Sequence, residues 1–436
     1  MKDVQNLHSR EAVVRRVRQA FYTMIWLMVI TFPLMIMRDD TVNDVILWRW
    51  GRLAGVGVGG FILSYIWYWA IERKQGGPRT ETPLANFRRK IGAYTADRQV
   101  RMASFALLGI ILVAYPFIVS LYNISIMATA LIYIVLGLGL NIIIGWGGLL
   151  NLGYAAFFLA GAYTYALLYK YFGIGFWLAL PLGGIVSTLI GIMVGIPVLR
   201  LRGDYLAIVT LAFAEMVRIV LNNMGEFSGG PDGISRIPRP GLFGIDFNIQ
   251  GSITLTYFIA LGAVVLTVIV MRRVENSRWG RAWEAMKEDE TAAEAMGVDI
   301  TRAKLTTFAM GSFFAGIAGV IMAGKTTKVT PDSFGLMESV MILSIVVLGG
   351  MGSIPGVIVG ALILKLLPEY FRAFSEYRML IFGLVLVLMM VFKPSGIISK
   401  IRKTFTLEHP DAALKAAPSH IDEEAVDITA GEDEHE

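Results

Sequence analysis

The chain has 436 residues, of which 55% are hydrophobic and only 17% charged, and its mean hydropathy is +0.61. Soluble domains carry about a quarter charged residues, so an ordinary globular enzyme is disfavoured. The lack of cysteine excludes a disulfide scaffold, a zinc–thiolate site and a thiol nucleophile, and four histidines leave little for metal or acid–base work. The formal charge of +5 does not indicate nucleic acid, because that needs basic residues clustered on a water-facing surface.

A transmembrane helix needs roughly 20 apolar residues. Two candidates lie at Ala20–Met37 and Leu53–Ile71, each fenced by charges. The 68 residues from Met102 to Tyr169 carry no charge, enough for crossings near 102–121, 123–144 and 149–169. Tyr171–Leu199 gives one more, and Tyr205–Asn222 is a weaker candidate because it holds Glu215 and Arg218. Gly251–Met271 and Leu305–Gly324 are further spans. Ser339–Leu364 is interrupted by Gly349, Gly350, Gly352, Pro355 and Gly356, and a short last span runs from Met379 to Phe392. The expected fold is an all-α polytopic membrane protein with about ten transmembrane helices plus a glycine-broken re-entrant or two-pass segment.

Lys and Arg set the orientation, since basic loops stay in the cytoplasm. Residues 1–18 carry five, 72–101 eight, 272–304 seven and 393–403 four, with Arg200 and Arg202 between. All of these lie inside only if Ser339–Leu364 returns to the side it left. Both termini are then cytoplasmic. The N-terminus lacks the pattern of a cleavable signal, because no small-residue cleavage site follows Met37. Three regions are expected: a two-span extension with a basic linker (1–101), a main body (102–403), and an acidic tail (404–436). The tail holds one lysine and ten acidic residues, a composition of disorder.

Glycines cluster twice. The first cluster holds Asn141, Gly145, Gly147, Gly148, Asn151 and Gly153, and the second Gly349, Gly350, Gly352 and Ser353. Two readings stand for them. Interrupted helices in a transporter line the translocation path, where protein or water satisfies the unwound backbone. Small residues also let helices pack closely, which suits Gly191 with Gly195 and Gly316 with Gly319. Glu215 and Arg218 share a helix face and are read as a structural pair. Gly319, Gly324, Lys325 and Thr326 match a phosphate-loop pattern, but the match closes a hydrophobic helix instead of following a strand, so it is a chance match.

The loop 272–304 balances seven basic with seven acidic residues. Ser277 is placed to cap a helix whose apolar face carries Trp279, Ala282, Trp283 and Met286, continued by Ala292, Ala293 and Met296 and ended by Gly297. Too polar to span, this helix docks either on the membrane interface or in a partner's groove. The acidic run Glu288, Asp289, Glu290 favours the partner, since anionic headgroups would repel it. A charge placed at Trp283 or Met286 is then expected to uncouple that partner or release it.

These residues resemble a family. The stretch 138–158, residues 201–211 with 228–234 after them, the run 279–285 (Trp279, Gly280, Arg281, Ala282, Trp283, Glu284, Ala285), and residues 347–353 are together similar to permease subunits of bacterial branched-chain amino acid ABC importers. The two extra N-terminal spans look like the LivM type, not its shorter LivH-type partner. The resemblance implies a second homologous permease, two cytoplasmic ATPases, a periplasmic amino-acid-binding protein and a home in the bacterial inner membrane. It implies no enzyme activity and no cofactor or metal on this chain, with ATP used by the partners. Loop 272–304 would be the coupling element. General importers of this class carry an EAA-x-x-x-G pattern there, whereas here Thr291, Ala292, Ala293 and Gly297 align, without the glutamate and without the downstream proline. A related importer for urea or an amide is one alternative. A self-sufficient secondary transporter or channel is the other, for which Glu215 is the only clear membrane carboxylate.

Overall fold

The computed structural model describes residues 109–370 except 200, 202 and 242–247. It also describes 37–40, 45–48 and 396–398, and the single residues 18, 21, 383 and 387. The chain separates into two units, Met1–Leu108 and Gly109–Glu436. In the first, β1 (Met37–Asp40) pairs antiparallel with β2 (Val45–Trp48), Met37 opposite Trp48. Apart from those single residues and Met37, the two expected N-terminal spans and the last span lie outside the described residues, as does the acidic tail.

The second unit is a helical bundle. Its helices are α1 (Gly109–Ile118), α2 (Leu121–Asn141), α3 (Ala155–Phe172), α4 (Phe176–Val198) and α5 (Asp204–Asn223). After a short turn at Gly225–Ser228 come α6 (Ile249–Glu275), α7 (Arg278–Glu288), α8 (Glu290–Ala295) and α9 (Ile300–Thr326). Then come α10 (Leu336–Gly349) and α11 (Ile354–Tyr370). Among the described residues, five segments are long and apolar enough to cross a membrane: Leu121–Trp146, Phe176–Pro197, Ile249–Glu275, Ile300–Thr326 and Pro331–Gly349.

Burial follows sequence pattern. The second half of α2 is apolar all round and is buried all round, as such a helix must be. In α6 one face is buried through Ser252, Thr256, Tyr257, Ala260, Val264, Thr267 and Met271, while Val265, Leu266 and Ile269 are exposed. That outward face suits hydrocarbon. Thr256 and Thr267 donate to carbonyls four residues back, so no hydroxyl on the packed face is left unpaired. Tyr257 stacks on Tyr115 and donates to Leu112 O at 2.8 Å, which ties α6 to α1.

Helix α9 packs on α4, α3 and α2. A side chain at Gly161 would meet the backbone of Gly316, and one at Gly316 would meet Gly183 O and Ser187. Close packing through Gly316 and Gly319 is therefore their role in the fold. The phosphate-loop match runs through the interior of α9, where the helix already uses the N–H groups a phosphate would need.

The broken segment is a helical hairpin. Gly349 meets Gly356, and Gly360 meets Ile345, so α10 and α11 run antiparallel and the chain returns to the end it left. Gly350 and Gly352 turn the backbone at φ of +111° and +84°, which side chains disfavour. Ile397 N and Ile398 N donate to Leu348 O and Gly349 O, at 2.9 and 3.1 Å. The chain after the last expected span therefore lies beside the hairpin turn, at the end of the bundle that also carries α7. At the opposite end β3 (Ile234–Ser235) pairs with β4 (Lys328–Val329). There Arg218 Nε donates to Glu215 at 2.8 Å as expected, and Nη1 reaches Asp332 at 2.6 Å. Asn222 donates to the same Asp332 oxygen at 3.0 Å. The pair is thus part of a link from α5 to the turn before α10.

Candidate translocation site and coupling contacts

The two glycine clusters meet. Helix α2 closes in a wider π turn over Ile142–Trp146, and residues 147–154 run unwound although most are buried. Several backbone groups of that segment have a named partner. Gly147 N donates to Ile142 O and Leu149 N to Ile143 O. Asn151 Oδ1 accepts from Gly153 N at 2.8 Å, and Thr210 Oγ1 accepts from Leu152 N at 3.2 Å. Ser339 Oγ accepts from Ala155 N at 3.0 Å and so starts α3 from α10. Irregular backbone at this depth requires such partners. A Cβ at Gly153 would strike Thr210 O, so the residue is glycine because α5 lies against it.

Asn141 joins the clusters. Its Oδ1 accepts from Gly352 N at 2.8 Å, while Trp146 Nε1 donates to Gly352 O at 3.3 Å. One peptide region of the hairpin turn is thus held from both sides by α2. Ser353 Oγ accepts from Gly356 N at 3.2 Å and caps α11. The Nδ2 groups of Asn141 and Asn151 are buried donors with no partner among the described residues.

The amphipathic loop touches the same place. Ser277 Oγ accepts from Gly280 N and caps α7 as expected, and Gly297, at φ +85°, ends α8. The one expected helix is two, because Asp289 Oδ1 accepts from Thr291 N and Ala292 N and starts a new one. The apolar face is the main correction. Trp283 and Met286 are only 1% and 2% exposed, packed into the chain's own core. The Trp283 ring stacks on Trp146, centroids 6.4 Å apart, and its Nε1 donates to Thr306 Oγ1 at 3.2 Å. Lys287, one turn on, donates to Gly145 O at 2.7 Å, and its stem lies against Gly148. Gly280 is buried against the end of α6, and Ala293 is buried as well. The outward surface carries Trp279 at 49% and Met296 at 85% exposure, with Arg281, Thr291, Ala292 and Gly297 also exposed and Ala282 half-buried.

Several contacts were not read from the sequence. Lys287 shares a face with Trp283 at a spacing of four, which marks it in hindsight. Lys304 carries no such mark. It is 2% exposed, on α9, and its Nζ pairs with Glu290 at 2.9 Å, pinning the start of α8. Removing one partner of a buried pair leaves the other uncompensated. Lys304→Met is expected to cost about 3 kcal/mol, at the low end for buried pairs because Glu290 keeps some water. Thermal unfolding of the purified chain in detergent checks this, and the double change with Glu290→Gln should recover part of the loss.

Apolar helices long enough to cross a bilayer, and buried unwound segments closed by protein groups, define the class: a multi-pass helical membrane protein. Comparison narrows it. Residues 122–390 match the family described as branched-chain amino acid transport system / permease component. The high-affinity branched-chain amino acid transport system permease protein LivM of Salmonella typhimurium is 42% identical over 393 residues, 86% of this chain and 90% of that one. The Escherichia coli LivM is 41% identical over 85% of this chain and 89% of its own length. LivH of Salmonella typhimurium is 26% identical over 62% of this chain and 91% of its own. The chain belongs to the branched-chain amino acid transport permease family. No solved structure matches it significantly.

Proposed function

We propose that this chain is one of two permease subunits of an ATP-driven importer of branched-chain amino acids in a bacterial inner membrane. Its partners are a LivH-type permease, two cytoplasmic ATPases and a periplasmic binding protein. Both termini and the α7–α8 element face the cytoplasm. The observation that carries the reading is the chain of contacts from α7 to both glycine clusters: Trp283 to Trp146, Lys287 to Gly145, and Trp146 with Asn141 to Gly352. A helix locked to the unwound parts of two other elements moves them when it moves.

Closure of the ATPases on ATP shifts α7 and α8 through their outward residues, with Trp279, Ala292 and Met296 in the ATPase groove. Trp283 and Met286 face inward and transmit the shift. The π turn of α2 and the glycine turn at 350–353 change together, and access alternates between the two sides of the membrane. Asn141, Gly145, Gly147, Gly148, Asn151, Gly153, Gly349, Gly350, Gly352 and Ser353 line the inner part of the path. Dipoles of broken helices suit the charged ends of a zwitterion, and the unpartnered amides of Asn141 and Asn151 are spare donors for it or for water.

Purification of the chain from its native membrane tests this. Two ATPases and a second permease are expected with it. In vesicles the assembly should take up leucine, isoleucine or valine only with ATP and binding protein present. Uptake by this chain alone without ATP would overturn the proposal.

A further inference from the structure

At the end of the bundle away from α7, four helices bring a second polar group together. Lys325, in the last turn of α9, donates its Nζ to Thr129 Oγ1 of α2. One turn further along α2, Tyr133 donates its hydroxyl to Glu338 Oε1 in the first turn of α10. Lys365 of α11 places its ammonium 3.3 Å from the centre of the Tyr133 ring. Lys365 is within electrostatic range of both Lys325 and Glu338. Among the described residues neither lysine has a carboxylate at ion-pair distance.

These four side chains hold two cations and one anion, a net charge of +1, while the next carboxylate along α11, Glu369, accepts from the hydroxyl of Tyr122 on α2. Tyr133 is buried and Lys325, Glu338 and Lys365 are half-buried, in a setting of apolar helices. An aromatic face attracts an ammonium but does not neutralise it. Uncompensated charge among membrane helices is costly and marks a functional site. The group lies on α2, α10 and α11, the same helices that meet at Asn141 and Gly352. Tyr133 precedes Asn141 by eight residues, about 12 Å along a helix.

We propose that Lys325 and Lys365 bind the carboxylate of the transported amino acid in the outer half of the path, and that Glu338 accepts its ammonium group. The proposal rests on the importer reading and names its outer substrate site. Two ammonium groups and one carboxylate mirror a zwitterion, and the incoming carboxylate cancels the excess positive charge.

The test uses the assembled transporter in vesicles, with ATP inside and leucine-loaded binding protein outside. Lys325→Met and Lys365→Met should each lower leucine uptake about ten-fold or more while ATP hydrolysis persists, the loss of a charge-assisted contact. Lys365→Arg should restore uptake to within about three-fold of the unaltered protein, since a bidentate cation still meets a carboxylate. Uptake within about two-fold of the unaltered level in both methionine variants would overturn the site. So would a loss in Lys365→Arg as deep as in Lys365→Met. Vesicles of phosphatidylcholine alone are compared with vesicles containing phosphatidylglycerol. A defect seen only with the anionic lipid would assign the lysines to a lipid phosphate and end the proposal. If Lys365→Met does not assemble, Lys325→Met and Lys325→Arg decide by the same criteria. An unaltered complex that takes up no amino acid fails the importer reading, whereas a working complex with unaffected variants fails this site alone.

Discussion

Trp283→Ala is expected to stop coupled uptake while leaving ATP hydrolysis running. The indole is fully buried between Trp146 and Thr306, and its ring joins α7 to the end of α2. Truncating a buried tryptophan costs about 3–5 kcal/mol through lost burial and the cavity it leaves. Here the cavity opens at the joint between the element that meets the ATPases and the unwound segment that meets the hairpin turn. Lys287 still reaches Gly145 O, so α7 stays near but its movement is no longer followed by Trp146. Uptake should fall about a hundred-fold, the equivalent of losing nearly 3 kcal/mol of coupling. Trp283→Phe, which keeps an aromatic ring, should retain most of the uptake, and Thr306→Val isolates the indole hydrogen bond. Parallel assays of hydrolysis and uptake in vesicles check all three. Coupled uptake by Trp283→Ala at the unaltered rate would show that the Trp283–Trp146 contact transmits nothing. The ATPases should still bind this variant, because the residues they meet are the outward ones. Trp279→Asp and Met296→Asp are the changes expected to release them.

The second large effect is structural. Gly316→Val is expected to leave little folded chain in the membrane. A Cβ there meets Gly183 O and lies 2.7 Å from Ser187 Cβ, and the Gly161 backbone crosses at the same point. Backbone cannot move aside as a flexible side chain can, so α4 must retreat from α9. Overpacking costs about 1–3 kcal/mol where side chains give way, and this site sits at or above the upper figure. In lipid the loss is felt directly, because close van der Waals contact between helices is a main driving force for their association. Gly262 provides the control, since nothing lies within 4 Å of a Cβ built there. Gly262→Val should accumulate and unfold like the unaltered chain. Yield from membranes and thermal unfolding in detergent compare the two, and equal behaviour would refute the packing account.

Several parts of the architecture were legible in the amino-acid order. The uncharged runs located α2, α4, α6 and α9, because a bilayer demands length and apolarity and little else. The charge rule required Ser339–Leu364 to return, and α10 and α11 do return. Ser277 and Gly297 marked the two ends of the amphipathic element, since capping is local chemistry. In the sequence Asp289 stands only as one of an acidic run, yet its side chain caps α8. The site was legible as two separate glycine clusters and one amphipathic face. That these three meet was not, because Asn141 and Gly352 are 211 positions apart and no local pattern records their hydrogen bond.

By itself the sequence determined a membrane-spanning helical chain, the positions of most of its described helices, the breaks in them, and the family to which it belongs. These follow from hydropathy, from backbone needs at glycine and from local motifs. Only the tertiary structure decided which way the amphipathic face points. Periodicity shows that Trp283 and Met286 share a face but not whether that face meets a partner or the chain itself, and it meets the chain. The same holds for charge. Lys304, Lys325, Glu338 and Lys365 sit at the ends of apolar runs, where sequence counts them as solvated. Helices that extend past those runs and fold back on one another bring them inside, because depth in a bundle is set by packing between distant segments.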